Sequence, residues 1–336
     1  MRIDVHNHFL PDPYVDALLD MDTPVGLESD GEQLYMLHQW SGTASVAAGN
    51  RIPVNPGFTD VEERVAWMDE YDIDRTLVSV STPNPVSSAF TASQSTELVR
   101  AINDGFARAQ AEHPDHIAGL GMLPLRDPDA AVAEVDRIAG DLDLPGIALP
   151  TGLPDGKLSD PDLRPAFDAI DEYGLTAFVH PHGNVLSTML EPEESFLNPL
   201  VVFPTDTTLQ IARLIYDGFF DDHAFDVVLS HMGGALLPLA GRLERGRREM
   251  ADPEDRPDRP VIEYLEDFYY DTISFSRPTL RAAIETVGVD QFVFGTDYPF
   301  DEEDLETNLA DLDAAVPSRA DRDRIMSDTA RDLFDL

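Results

Sequence analysis

His6 and His8 stand two residues apart near the start of the chain, at the end of an apolar run over residues 2–8. In an extended strand, side chains at i and i+2 share one face, so both imidazoles can reach a single cation. Such a pair alone is more often structural than metal-binding. Three later segments change that balance, because each is an apolar run that stops at a side chain able to bind a metal or move a proton. They are Phe-Val-His-Pro-His at 178–182, Leu-Ser-His-Met-Gly-Gly at 229–234 and Phe-Gly-Thr-Asp-Tyr-Pro-Phe at 294–300. Imidazole and carboxylate together suit a divalent ion that keeps one position open for water and draws that water's pKa towards about 7. A histidine near its ordinary pKa of about 6.5 suits proton transfer at that pH. The chain has no cysteine, which removes disulfides, iron–sulfur clusters, thiolate zinc sites and thiol nucleophiles. It also lacks a Gly-x-Ser-x-Gly elbow and a Walker loop, so serine-hydrolase and nucleotide chemistry have no support.

The elements that would position these side chains alternate regularly. Short β-type runs fall at 2–8, 75–80, 117–123, 146–149, 176–180, 226–230, 268–271 and 292–296. Amphipathic helical patterns lie between them at 60–71, 95–112, 128–139, 163–173, 207–219, 235–250 and 278–287, and acidic helices close the chain from residue 302. Eight runs alternating with helices predict an α/β fold, a single (β/α)8 TIM barrel spanning residues 1–336 as one domain. Barrels gather their catalytic groups at the C-terminal ends of strands, which is where the four segments end. A doubly wound sheet would carry a Gly-rich turn after the first strand, and His-Asn-His stands there instead. Residues 11–58, with five prolines and the aromatics Tyr35 and Trp40, read as an insertion after the first strand, on the active-site face.

Composition narrows the partners. Acidic residues number 64 against 23 basic ones, for a formal net charge of −41, and Lys157 is the single lysine. Aromatic and branched apolar residues run along the whole chain, so the acidity reads as the surface of a folded protein, not as disorder. At about 1 M salt the Debye length shrinks to roughly 3 Å and screens such repulsion, which points to a salt-loving source. The surface argues against nucleic acid and anionic membrane as partners. No apolar stretch approaches the roughly 20 residues of a membrane span, and no signal-like start is visible, so the expectation is a cytoplasmic protein.

The set of His-x-His, His180, His231-x-Gly-Gly and Gly295-Thr-Asp-Tyr-Pro resembles the amidohydrolase superfamily, and within it the amidohydrolase 2 group, along nearly the whole chain. Gly119–Pro124, Phe178–Pro181 and Thr207–Asp217 contribute to the resemblance. It implies one divalent metal ion, Zn2+ before Mn2+, held by His6, His8, His180 and Asp297. It places His231 beside the metal as general acid/base, with Asp297 available as a proton shuttle besides being a ligand. His rather than Glu at position 6 leans towards the 2-amino-3-carboxymuconate-6-semialdehyde decarboxylase branch. His182 departs from that branch, which has Trp there, and reads as a pocket-wall residue that touches substrate. Arg242 matches a carboxylate-clamping arginine that reaches the partner subunit's site, which implies a homodimer, and Arg51 corresponds to a second such arginine; the bland alternative for both is a surface ion pair.

The implied activity is a metal-dependent decarboxylase of a small unsaturated or aromatic carboxylic acid. The alternatives are a hydrolase of a C–N or C–O bond on the same site, a hydratase, and a non-catalytic metal-binding barrel; fold alone does not choose among them. His38, His113, His116 and His223 read as surface residues, and Trp40 and Trp67 as packing residues.

Overall fold

The computed structural model describes the chain except residues 24, 38–50, 183–185, 187–189, 191–193, 195, 251–256 and 301–304; His38 and Trp40 lie outside the described residues. The strands in chain order are β1 (Ile3–His8), β2 (Gly26–Ser29), β3 (Leu34–Leu37), β4 (Arg51–Pro53), β5 (Arg75–Ser79), β6 (Ile117–Met122), β7 (Gly146–Pro150), β8 (Thr176–His180), β9 (Val227–Leu229) and β10 (Tyr269–Tyr270). Seven of them form one parallel sheet in the order β1-β5-β6-β7-β8-β9-β10. Every residue of β1, β6, β7, β8 and β9 is buried, the mark of a parallel sheet covered by helices on its outer face and by packed side chains within. Ile147 to Leu149 pair with Ala177 to Val179, and Pro150 pairs with His180, so β7 and β8 end together at the site.

The helices come from the amphipathic patterns. Helix Ala92–Glu112 starts at a capping box between Thr91 and Gln94 and buries Leu98, Val99, Ile102 and Phe106, which satisfies the orphan amides of its first turn. Helix Arg164–Tyr173 buries Ala166, Phe167 and Ile170 and stops at Gly174, whose φ of 64° is the left-handed cap that glycine adopts without strain. Helices Asp12–Leu19 and Val261–Asp267 were not foreseen from the sequence. The first lies within the region read as an insertion, and the small antiparallel sheet β2-β3-β4 accounts for much of the rest. Helices Leu305–Ala315, Arg319–Asp323 and Thr329–Phe334 close the chain as expected.

The eighth expected strand, at 292–296, is not a continuous strand. The segment runs between the two edges of the sheet and touches each by single bridges, Tyr270 with Phe292 and Asn7 with Tyr298. Val5 N–H donates to Phe294 O at 2.9 Å, and Val293 N–H donates to Tyr270 O at 2.9 Å. Further along the pairing turns irregular: Thr296 N–H is shared between His6 O at 3.2 Å and Asp4 Oδ1 at 3.1 Å, Asp297 N–H also donates to His6 O at 2.8 Å, and Asp297 leaves the extended region at φ 61°. Among the described residues no helix is long and apolar enough to cross a membrane.

Candidate metal centre

Four imidazoles and one carboxylate meet where β1, β8, β9 and the 292–298 segment end. His6 and His8 come from β1, His180 ends β8, and His231 follows β9. Ring centroids of His6 lie 5.2 Å from His8, 5.1 Å from His180 and 4.9 Å from His231, and His8 sits 4.7 Å from His180. One donor atom each from His6, His180, His231 and Asp297 falls within 4.8 Å of all the others. Asp297 is the hub: its Oδ1 is 3.0 Å from His8 Nε2 and 3.3 Å from His6 Nε2, and its Oδ2 is 3.5 Å from His231 Nε2. Thus the five residues expected from the sequence at the metal converge, including His8, which approaches through Asp297.

Local backbone explains why these residues and no bulkier surroundings stand here. His231, Met232 and Asp297 hold positive φ values of 51°, 54° and 61°, left-handed conformations that are uncommon for residues with a Cβ and concentrate at functional sites. Gly234, at φ 64°, has no room for a side chain, since a Cβ would lie 2.1 Å from Pro204 O. Gly295 lets its segment pass β1, where a Cβ would lie 2.8 Å from the His6 Cβ. The glycines of the 229–234 and 294–300 segments are therefore part of the site's construction.

The hydrogen bonds fix which ring nitrogen faces inward. His6 Nδ1 donates to Asp271 Oδ2 at 2.6 Å, which leaves Nε2 as the lone-pair nitrogen; it is buried and without a hydrogen-bond partner. His8 Nδ1 lies 3.2 Å from Ser79 Oγ, and that hydroxyl donates to Asn7 O at 3.2 Å. With its Nδ1 proton donated to Ser79 Oγ, His8 turns its lone-pair nitrogen Nε2 towards Asp297 Oδ1. Two electron-rich atoms 3.0 Å apart, beside a bare His6 Nε2, call for a positive charge among them, and the donor set fits a divalent ion.

The electrostatics agree. Burial disfavours imidazolium at His6, yet Asp297 and Asp271 beside it push its pKa up to about 10; in the absence of a metal a proton supplies the cation that the carboxylates demand. Burial lowers His8 to about 4 against the pull of Asp297. Burial, with His8, His6 and His231 nearby, holds His180 well below its ordinary value. Burial opposes ionisation of Asp297, but His6, His231 and His8 hold its carboxyl well below the usual range. His8 and His180 held neutral beside an ionised Asp297 match the protonation states a metal requires, and at His6 a metal would take the place of the extra proton.

Sequence reasoning missed the layer behind these residues. Asp271 is fully buried and holds His6. Asp4, also fully buried, accepts from Thr296 Oγ1 at 2.7 Å and from His6 N–H at 3.1 Å, and burial pushes its pKa up to about 7. Arg64 donates to Asn7 Oδ1 at 2.8 Å and also to the His8 carbonyl, pinning the end of β1. Asp271 was findable, since it ends the seventh apolar run at the same level as the other site residues. Arg64 looked like one more charge on an amphipathic helix.

The remaining expectations divide. His182 lies beside the cluster, 5.4 Å from His180 between centroids, with Nδ1 donating to Ser81 O at 3.0 Å. Phe300, 5.6 Å from His8, and Phe203, 6.4 Å from His180, add aromatic surface around the site. Arg51 sits on β4, 3.3 Å from Glu28 and 4.0 Å from the centre of the Tyr35 ring. Arg242 is exposed on helix Leu236–Glu249. Among the described residues no hydrogen bond or ion pair joins either arginine to the cluster. Trp67 packs as expected, stacked on Tyr298 at 3.7 Å. His113 and His116 are half-buried. His223, expected on the surface, is buried against Phe167 and Phe219, with Nδ1 3.1 Å from Asp171 Oδ2; the short helix before it folds the ring under its own aromatic neighbours.

Comparison with known proteins places this geometry. The amidohydrolase family model, Amidohydro_2, matches residues 3–336. Gamma-resorcylate decarboxylase of Rhizobium radiobacter is 29% identical over 291 residues, covering 82% of this chain and 88% of its own. The 2-amino-3-carboxymuconate-6-semialdehyde decarboxylase of Dictyostelium discoideum is 26% identical over 312 residues, covering 89% and 82%. Among solved structures, the apo IDCase of Metarhizium anisopliae superposes with a TM-score of 0.87 at 28% identity, covering 100% of this chain and 97% of its own. The 5-carboxyvanillate decarboxylase of Novosphingobium aromaticivorans, solved with manganese and a nitrobenzoic acid, gives a TM-score of 0.82 at 21% identity, covering 100% and 96%.

Proposed function

From the premise that this chain belongs to the amidohydrolase 2 family, we propose that it is a metal-dependent decarboxylase of a small aromatic or unsaturated carboxylic acid. The observation that carries this reading is the complete inward-facing set of His6, His8, His180, His231 and Asp297, in a chain whose curated relatives above are decarboxylases over four fifths of its length. His6, His8, His180 and Asp297 would hold the ion, with the set-back position of His8 filled out once a cation lies between it and Asp297. Zinc suits three imidazoles, while the carboxyvanillate enzyme, solved with manganese, supports Mn2+. When bound, the ion would supply a Lewis acid that stabilises negative charge on the substrate.

The chain's own residues then handle the proton. His231, 3.5 Å from Asp297, and Asp297 form a pair across which a proton can move to the carbon that bears the carboxylate. The bond to the carboxyl carbon breaks, its electron pair stays with the protonated carbon, and carbon dioxide leaves. Phe300 and Phe203 give a planar ring apolar surface, and the half-buried His182 borders the same space. In this reading the chain is a homodimer in which Arg242, exposed on helix Leu236–Glu249, reaches the partner's substrate carboxylate. The bridges on both sides of residues 292–298 support an eight-stave barrel forming one domain. The net charge of −41 supports a source in a salt-rich habitat, with stability that rises with salt, and the protein is taken to be cytoplasmic.

The test is elemental analysis of protein purified in high salt, paired with assays on gamma-resorcylate and related benzoic acids. About one metal per chain with carbon dioxide released establishes the reading. One metal with water incorporated into a C–N or C–O substrate and no carbon dioxide replaces it with the hydrolase. Metal-free protein that cannot be reconstituted ends the metal mechanism.

A further inference from the structure

We propose that Asp271 is a positioning residue that locks the metal-facing nitrogen of His6 and the backbone of His231 into one unit. The proposal rests on the reading of the cluster as a divalent-metal site. Asp271 follows β10 and is fully buried. Its Oδ2 accepts from His6 Nδ1–H at 2.6 Å and from His231 N–H at 2.7 Å. Its Oδ1 accepts from Met232 N–H at 2.8 Å and from Ile273 N–H at 3.1 Å. A carboxylate has about four acceptor sites, and here all are filled by donors from three separate parts of the chain.

Two consequences follow from that arrangement. With Nδ1 committed as a donor, His6 can present only Nε2 to an ion, so Asp271 chooses the ligating atom. The same oxygens hold the His231–Met232 turn, whose two residues sit at φ 51° and 54°, a conformation that persists only when its surroundings over-determine it. One side chain therefore sets the aim of a ligand and the seat of the proton-transferring histidine. Asparagine cannot replace it. If its amide oxygen serves Met232 and Ile273, its NH2 group faces His6 Nδ1 and the His231 N–H. His6 then has to accept at Nδ1, which moves its proton to the nitrogen that should ligate.

The experiment uses the zinc-loaded protein, with histidine labelled with ¹⁵N, and the Asp271→Asn variant. In the wild type, His6 should show a slowly exchanging Nδ1 proton with Nε2 bound to zinc. Asp271→Asn should weaken zinc binding, read by competition with a chelator, by roughly 10–100-fold. At saturating metal it should lower kcat while KM stays within about twofold. A wild-type His6 that lacks the Nδ1 proton, or a folded variant whose zinc affinity stays within about twofold, overturns the proposal. The wild-type spectrum needs no variant, so a misfolded Asp271→Asn chain leaves the question decidable. A chain that binds no divalent ion overturns the functional reading itself, whereas zinc bound with His6 Nδ1 unprotonated overturns only the role of Asp271.

Discussion

The two ends of β9 carry the same residue types and different chemistry. At its C-terminal end His231 joins three other imidazoles and Asp297 in a site where all but His231 and Asp297 are fully or almost fully buried. At its N-terminal end Asp221, Asp222, Asp226, Glu266 and Asp267 line a hollow of about 490 Å³ with His223. There the carboxylates face water or pair with arginine, as Arg259 does with Asp267 at 2.5 Å and Arg164 with Asp222 at 2.9 Å. Burial pushes Asp226 upward, helped by Asp267, but among the described residues no set of donors there closes on one point. Convergence with burial spreads the protonation states of the first region apart, whereas the second region stays open to solvent. Residue type alone does not make a metal site.

Several measurements would break or sharpen that contrast. Asp297→Ala removes the hub, so bound metal should be lost and turnover should fall by roughly 10⁴-fold; retention of metal by this variant would mean the centre is organised elsewhere. His231→Ala should keep metal, by elemental analysis, while turnover drops by roughly 10²–10³-fold. Chelation should remove one equivalent of metal and lower the unfolding temperature. Metal present at 100 times its dissociation constant stabilises by about 2.7 kcal/mol, and a second equivalent needed for recovery would place an ion in the lower hollow as well. His223→Ala should cost about 1 kcal/mol of stability through lost packing and leave kcat/KM within about twofold. A large loss of activity there would erase the distinction between the two ends.

Much of this was legible in the sequence, for a physical reason. Seven of eight expected runs became strands because buried parallel strands are written as short, locally readable apolar segments, and His6, His8, His180, His231 and Asp297 each sit at a strand end. The 292–296 run failed as a regular strand because Asp4 shares the Thr296 amide with the His6 carbonyl and the left-handed Asp297 donates to that same carbonyl, and local hydrophobicity does not report such irregularity. Asp271, Asp4 and Arg64 stayed hidden for a related reason: each has its meaning through a partner distant in sequence, 265 residues away for Asp271 and His6. His223 was misjudged because burial of a loop residue depends on how a short helix folds over it.

The approach of His8 to Asp297 spans 289 residues, and this has a bearing on the order of events during synthesis. At about 5–20 residues per second, a ribosome takes roughly 15–60 s to travel from one to the other. Throughout that interval the first two histidines exist without the carboxylate that completes their site. The nascent chain therefore cannot compete for a metal on equal terms with finished copies. An ion that binds only the completed site ties β1 to the Asp297 segment and records that translation has passed that carboxylate.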